Sequence, residues 1–137
     1  MSSLQSRLLM FADTTLTIIS PIGRYLRQFA AMKIDPYSER FGVGGDYEFV
    51  SLRVTFNLRP INDHTVVLQN LQAKYPDSSE GTAALNTLCG FADRYRVTIL
   101  LNASPYDTDM PREKLIEWYQ RFGFKLTEHS EMQRLPK

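Results

Sequence analysis

The sequence predicts one α/β domain of the α+β kind, with a mixed, mostly antiparallel sheet flanked by helices. Three observations carry that expectation. Two β-rich runs, 48–58 and 65–73, are separated by the short turn RPINDH, the pattern of an antiparallel hairpin. A helical pattern over 82–95 leads directly into VTILLNA (97–103), and a strand, crossover helix and second strand place the two strands parallel. A further helix and a terminal hairpin then fill residues 111–135.

Taken in order, TTLTIIS (14–20) is rich in β-branched residues and reads as a strand, and the segment 22–32 after Pro21 as a short helix. PYSERFGVGGDY (36–47) combines Pro, Ser and three glycines and reads as a loop. Phe49, Val50, Leu52, Val54, Phe56 and Leu58 partly alternate with polar residues, as in a strand with one buried face. YPDSSEG breaks regular structure, after which Ala84, Leu88, Phe91, Ala92 and Tyr95 fall on one side of a helix. The apolar run 97–103 is too short for a long helix and typical of a strand buried on both faces. Pro111 suits the first turn of the last helix, with Asp109 placed to cap it, and Gly123 suits a left-handed stop. Residues 124–127 and 131–135 complete a hairpin.

A chain of 137 residues supports one core and one domain, 1–137, and shows no internal repeat or linker. A net charge of +1 with interspersed signs lacks the basic stripe that neutralises phosphates, so nucleic acid is not an expected partner. Cys89 is the only cysteine, which excludes internal disulfides and Cys-based zinc sites and makes the cytoplasm the expected compartment. The apolar stretch LLMFADTTLTIISPIG is interrupted by Asp13 and reads poorly as a signal peptide or membrane span. It is instead a candidate surface for a homodimer. His64 and His129 are far apart with no metal-ligand spacing, so no metal is expected. Cys89 reads as core, and Ser104 before Pro105 lacks the nucleophile-elbow pattern.

EGTAALNTLCGFAD (80–93) resembles the pyrophosphate loop and helix of the GNAT superfamily of acyl-CoA-dependent N-acetyltransferases. REKLIEWYQRFGF (112–124) is similar to that family's thiolate-facing helix and the strand after it. The resemblance covers residues 48–135, the cofactor-binding half, and leaves 1–47 as a variable N-terminal part. Within the family the chain resembles short virus-encoded members most, which would place it in a host cytoplasm. The resemblance implies a splayed parallel strand pair, acetyl-CoA as co-substrate, no metal, and direct attack by an amine on a small molecule, a protein lysine or an N-terminus.

It also implies roles for particular residues. The diphosphate of acetyl-CoA would meet N–H groups along Ser78, Ser79, Glu80, Gly81, Thr82 and Ala83, where small side chains and the helix dipole favour an anion. Ser78 stands where the family pattern has Gln or Arg, and Asp77 and Glu80 make the loop acidic. At about 8 Å in water, a carboxylate facing two negative charges costs on the order of 1 kcal/mol, which weakens binding several-fold without forbidding it. Strand residues Leu71, Gln72, Ala73 and Lys74 would hold the acetyl carbonyl. Tyr119 would protonate the departing thiolate as general acid, and Glu48, at the start of the hairpin, is the candidate base. Arg112 replaces the family's asparagine and is a candidate phosphate contact. The resemblance thus needs two strands that part and a Tyr119 hydroxyl that faces the opening. An alternative reading keeps the fold but not efficient catalysis, leaving a protein-binding module.

Overall fold

A computed structural model describes residues 20–34, 44–75, 79–104 and 110–137. Of the strand expected at 14–20, all but Ser20 lies outside these residues, as do Asp77, Ser78 and Asp109. Ser20 itself caps helix α1 (Pro21–Arg27): its Oγ accepts from the Gly23 N–H at 3.0 Å, and Pro21 occupies the first turn. The helix expected to run to 32 stops at Arg27 and ends as a separate 3-10 turn, Ala30–Met32.

The run 48–58 is not one strand. It is two, β1 (Gly45–Phe49) and β2 (Val54–Asn62), folded into a hairpin by a turn in which Arg53 takes a φ of +56°. Adjacent Phe49 and Val50 break the alternation there, and Val50 is left 74% exposed at the bend. The glycine-rich loop therefore ends sooner than expected. Gly44 has a φ of +80°, and a Cβ there would lie 2.7 Å from the Leu58 carbonyl oxygen, so only glycine fits. At its far end β2 runs through Pro60, narrowing the expected RPINDH turn to Asp63 and His64. Pro60 is tolerated because β1 pairs no further than Leu58, which makes that side of β2 a sheet edge.

Strand β3 (Thr65–Ala73) has the bounds expected of it. Helix α2 (Glu80–Tyr95) starts two residues sooner than its apolar periodicity, because Glu80 and Gly81 complete a first turn whose residues face outward or only half inward. Strand β4 (Thr98–Asn102), helix α3 (Arg112–Gln120), β5 (Lys125–Glu128) and β6 (Glu131–Arg134) follow, with Gly123 at φ +94° after α3. The sheet order is β1-β2-β3-β4-β6-β5, and β3 with β4 is the parallel pair in an otherwise antiparallel sheet. This is the expected α+β class.

The register lines up one face of the sheet. Tyr47 and Phe49, Phe56 and Leu58, Val66 and Leu68, Ile99 and Leu101, and Met132 all point to it and are buried. Helices α1 and α2 pack on this side. Phe29, fully buried, meets the rings of Tyr25, Tyr47, Phe49, Phe56 and Phe91 edge-on, with centroids 5.1–6.2 Å away. The Tyr25 hydroxyl donates to the Leu88 carbonyl at 3.1 Å, pinning α1 to α2. Strand β4 is completely buried on this face alone; Leu100 on the other is half-buried, not buried as the apolar run suggested.

Arg134, 3% exposed, closes the other end of the core. Both its terminal nitrogens donate to the Asp93 carboxylate at 2.8 Å, and its Nε donates to the Phe122 carbonyl at 2.6 Å. One guanidinium thereby joins β6, α2 and the segment after α3. The hydrogen bond from Arg134 holds the Asp93 carboxyl below the usual carboxylate range. Asp93→Ala, leaving that guanidinium unpaired, is expected to cost roughly 2–4 kcal/mol in denaturant unfolding. The contribution is complete above the ordinary carboxylate pKa of about 4 and is lost as pH falls through the lower folded value. Wild type and Asp93→Asn should therefore draw together in stability as pH falls from about 4, and converge only below the lowered folded value.

Candidate active site

Strands β3 and β4 begin together and then part. They pair only at Thr65 with Thr98, Val66 with Ile99 and Val67 with Leu100. Beyond that point β3 runs on to Ala73 beside β2 alone, while Leu101 and Asn102 of β4 pair with β6. The cause is in β3. Between Gln69, opposite Asn57, and Gln72, opposite Thr55, it carries one residue more than β2, and Asn70 there has a φ of +53°. That is a β-bulge, which bends its strand and increases the twist. The bulge also resets the pleat: Val66 and Leu68 face the core before it, and Leu71 and Ala73 after it.

The parted end of β3 meets the start of α2. Ser79 is the N-cap and makes no side-chain capping bond; Glu80, Gly81 and Thr82 form the first turn, and Ala83 N–H donates to the Ser79 carbonyl at 3.0 Å. First-turn N–H groups point out of a helix with no intrahelical acceptor. A Cβ on Gly81 would sit 3.8 Å from the Ala73 Cβ and 4.0 Å from Cζ2 of Trp118 on α3. Strand end, helix start and α3 thus converge on Ala73, Gly81 and Trp118.

Tyr119 stands next to Trp118. It is 7% exposed, its ring edge-on to Trp118 and Phe124 at 4.9 and 5.5 Å. Burial, and secondarily the nearby Cys89 thiol, pushes its pKa well above the ordinary tyrosine value, so the phenol keeps its proton. Burial likewise pushes the Cys89 thiol up to about 11 and leaves it unreactive. The parted strands are present, and Tyr119 lies largely buried beside them. Arg112, at the other end of α3, donates from Nε to the Ser130 hydroxyl at 2.7 Å and from a terminal nitrogen to the His129 carbonyl. It holds the β5–β6 turn.

Glu48 and the end of β3 come together on the sheet face away from the helices. Glu48 pairs across to Thr55 and Thr55 to Gln72, a row over three strands. With Arg53, Ala73 and Lys74 they line a groove of about 550 Å³. Arg53, Thr55 and Trp118 went unrecognised in the sequence. Arg53 was hidden inside a run that reads as strand, and the one signal for Trp118 was its place beside Tyr119.

No family model matches the chain, and no curated protein sequence does. Among solved structures, the crystal structure of the anti-CRISPR protein AcrVA5 matches with a TM-score of 0.55 at 18% identity, covering 66% of this chain and 96% of that one. The two proteins share a fold. At this identity the likeness is one of architecture: a GNAT-like mixed sheet with a parallel pair that splays.

The bulge makes a stability test possible. Asn tolerates a positive φ, Gly more so, and a β-branched residue does not. Asn70→Gly should unfold within about 0.5 kcal/mol of wild type, and Asn70→Val should lose about 1–2 kcal/mol in the same denaturant titration.

Proposed function

We propose that the protein is an N-acetyltransferase that moves the acetyl group of acetyl-CoA to an amine by direct attack. The observation that supports this most is the parting of β3 from β4 beside the start of α2. The ladder between β3 and β4 ends at Val67 and Leu100, and a glycine-bearing helix start lies against Ala73. A thioester arm lying between the parted strands can take hydrogen bonds from their facing peptide groups.

In this reading the first-turn N–H groups of Glu80, Gly81 and Thr82 meet the diphosphate. Backbone amides among Leu71, Gln72, Ala73 and Lys74 donate to the acetyl carbonyl as its oxygen gains charge. Glu48, across the same strand end, takes the proton of the attacking ammonium. Tyr119 gives its proton to the leaving sulfur. The raised pKa suits a donor and excludes a base. The lone, buried Cys89 supports action in the cytoplasm, and among the described residues no helix is long and apolar enough to cross a membrane.

A second reading, a GNAT-like module that binds another protein without efficient chemistry, is favoured by the burial of Tyr119 and the engagement of Arg112 with the β5–β6 turn. Acetyl-CoA titration separates the two. Trp118 is the sole tryptophan and stands against Gly81, so ligand entering there should change its fluorescence and release heat in a calorimeter. No heat and no thermal stabilisation at millimolar acetyl-CoA would leave the binding module. If acetyl-CoA binds, Tyr119→Phe should lower kcat by about 100-fold or more with its affinity within about twofold of wild type. Weakened affinity at unchanged turnover would remove Tyr119 from the chemistry.

A further inference from the structure

The groove beneath the parted strand carries opposite charges that do not neutralise each other. Glu48 lies at the β1 side. Arg53 and Lys74 lie beyond the Thr55–Gln72 row, brought together because the Lys74 N–H donates to the Arg53 carbonyl at 2.9 Å. Tyr75 braces both cations: Arg53 donates to its hydroxyl at 3.0 Å and stands 5.4 Å from its ring centre, and the Lys74 ammonium stands 5.8 Å from it. Among the described residues, no ion pair within 4 Å joins Glu48 to either cation. Strands lie about 4.8 Å apart, so Glu48 and Gln72, two strands apart, are separated by roughly 10 Å at the backbone. Thr55 and Gln72 supply neutral hydrogen-bonding groups between the charges.

We infer that this groove binds a small zwitterion, a primary ammonium and a carboxylate on one molecule. The ammonium sits at Glu48 and the carboxylate at Arg53 and Lys74. A groove of about 550 Å³ is in the range of small-molecule sites and has ample room for an amino acid. A ligand with a second cation would set that charge against Arg53 and Lys74, and one with a lone anion would face Glu48. The inference rests on the acetyl-transfer reading only in making this zwitterion the acceptor. The Glu48 carboxylate then both anchors the ammonium and removes one of its protons, and the freed amine nitrogen forms a bond to the acetyl carbon as the carbon–sulfur bond breaks.

Binding is measured without acetyl-CoA, which keeps the two readings separable. Calorimetric titrations would compare 5-aminopentanoate with pentylamine, pentanoate and 1,5-diaminopentane. The zwitterion should bind about tenfold or more tightly than each of the others, the worth of one charge-assisted contact. Glu48→Gln should reduce 5-aminopentanoate to the level of pentanoate, Lys74→Gln should weaken it about tenfold, and Lys74→Arg should restore it. Equal binding of the diamine, or zwitterion affinity unchanged in Glu48→Gln and Lys74→Gln, overturns the inference. Zwitterion binding in a protein that takes no acetyl-CoA would leave the groove assignment standing and remove the transferase reading instead.

Discussion

A strand can serve two neighbours only while it stays straight enough to reach both. In this protein β3 does so as far as Val67, and the extra residue around Asn70 then commits it to β2. Strand β4 is as firmly committed to β6. Neither can swing back without breaking a full antiparallel ladder, so the opening is held by hydrogen bonds on its outer sides. The facing peptide groups are consequently available to water or to a ligand, which is the physical basis for reading the gap as a site.

The same bulge divides the site between two faces of the sheet. After it, Leu71 and Ala73 point toward the helices and Gln72 and Lys74 away from them. The helix-side surface brings Ala73 against Gly81 and Trp118; the opposite surface brings Gln72 and Lys74 beside Glu48 and Arg53. One strand end thus touches a phosphate-suited helix start on one face and a charged groove on the other. In the proposed acetyl transfer, the two substrates would approach from these opposite faces.

Rigidity around the opening comes from two clusters. The Phe29 ring cluster fastens α1 to the β1–β2 hairpin and to α2. At the other end, Arg134 ties β6 to Asp93 of α2 and to the Phe122 carbonyl. Helix α2 is therefore gripped on both sides of the gap, which fixes where its first turn points. A buried, bidentate guanidinium is specific about geometry in a way that apolar contact is not.

Much of this was legible in the chain. The β-rich run 65–73 and the helical spacing of 84–95 mark a strand and a helix with one buried side, and the apolar run 97–103 marks a strand though not its one-faced burial. The left-handed stop at Gly123 was equally readable, because only the backbone's own sterics decide it. The bend that splits 48–58 was not, since Val50 is as apolar as a strand residue and is exposed only because of where the hairpin turns. Sequence alone determined the order and kind of the elements from β3 onward, and hence the α+β class, because helix and strand periods are written in neighbouring residues. Tertiary structure alone decided that β3 and β4 separate, that Tyr119 is enclosed, that Arg112 grips a turn and that Glu48 shares a groove with Arg53 and Lys74. Each of those depends on register between segments distant in the chain, and no local pattern encodes a register.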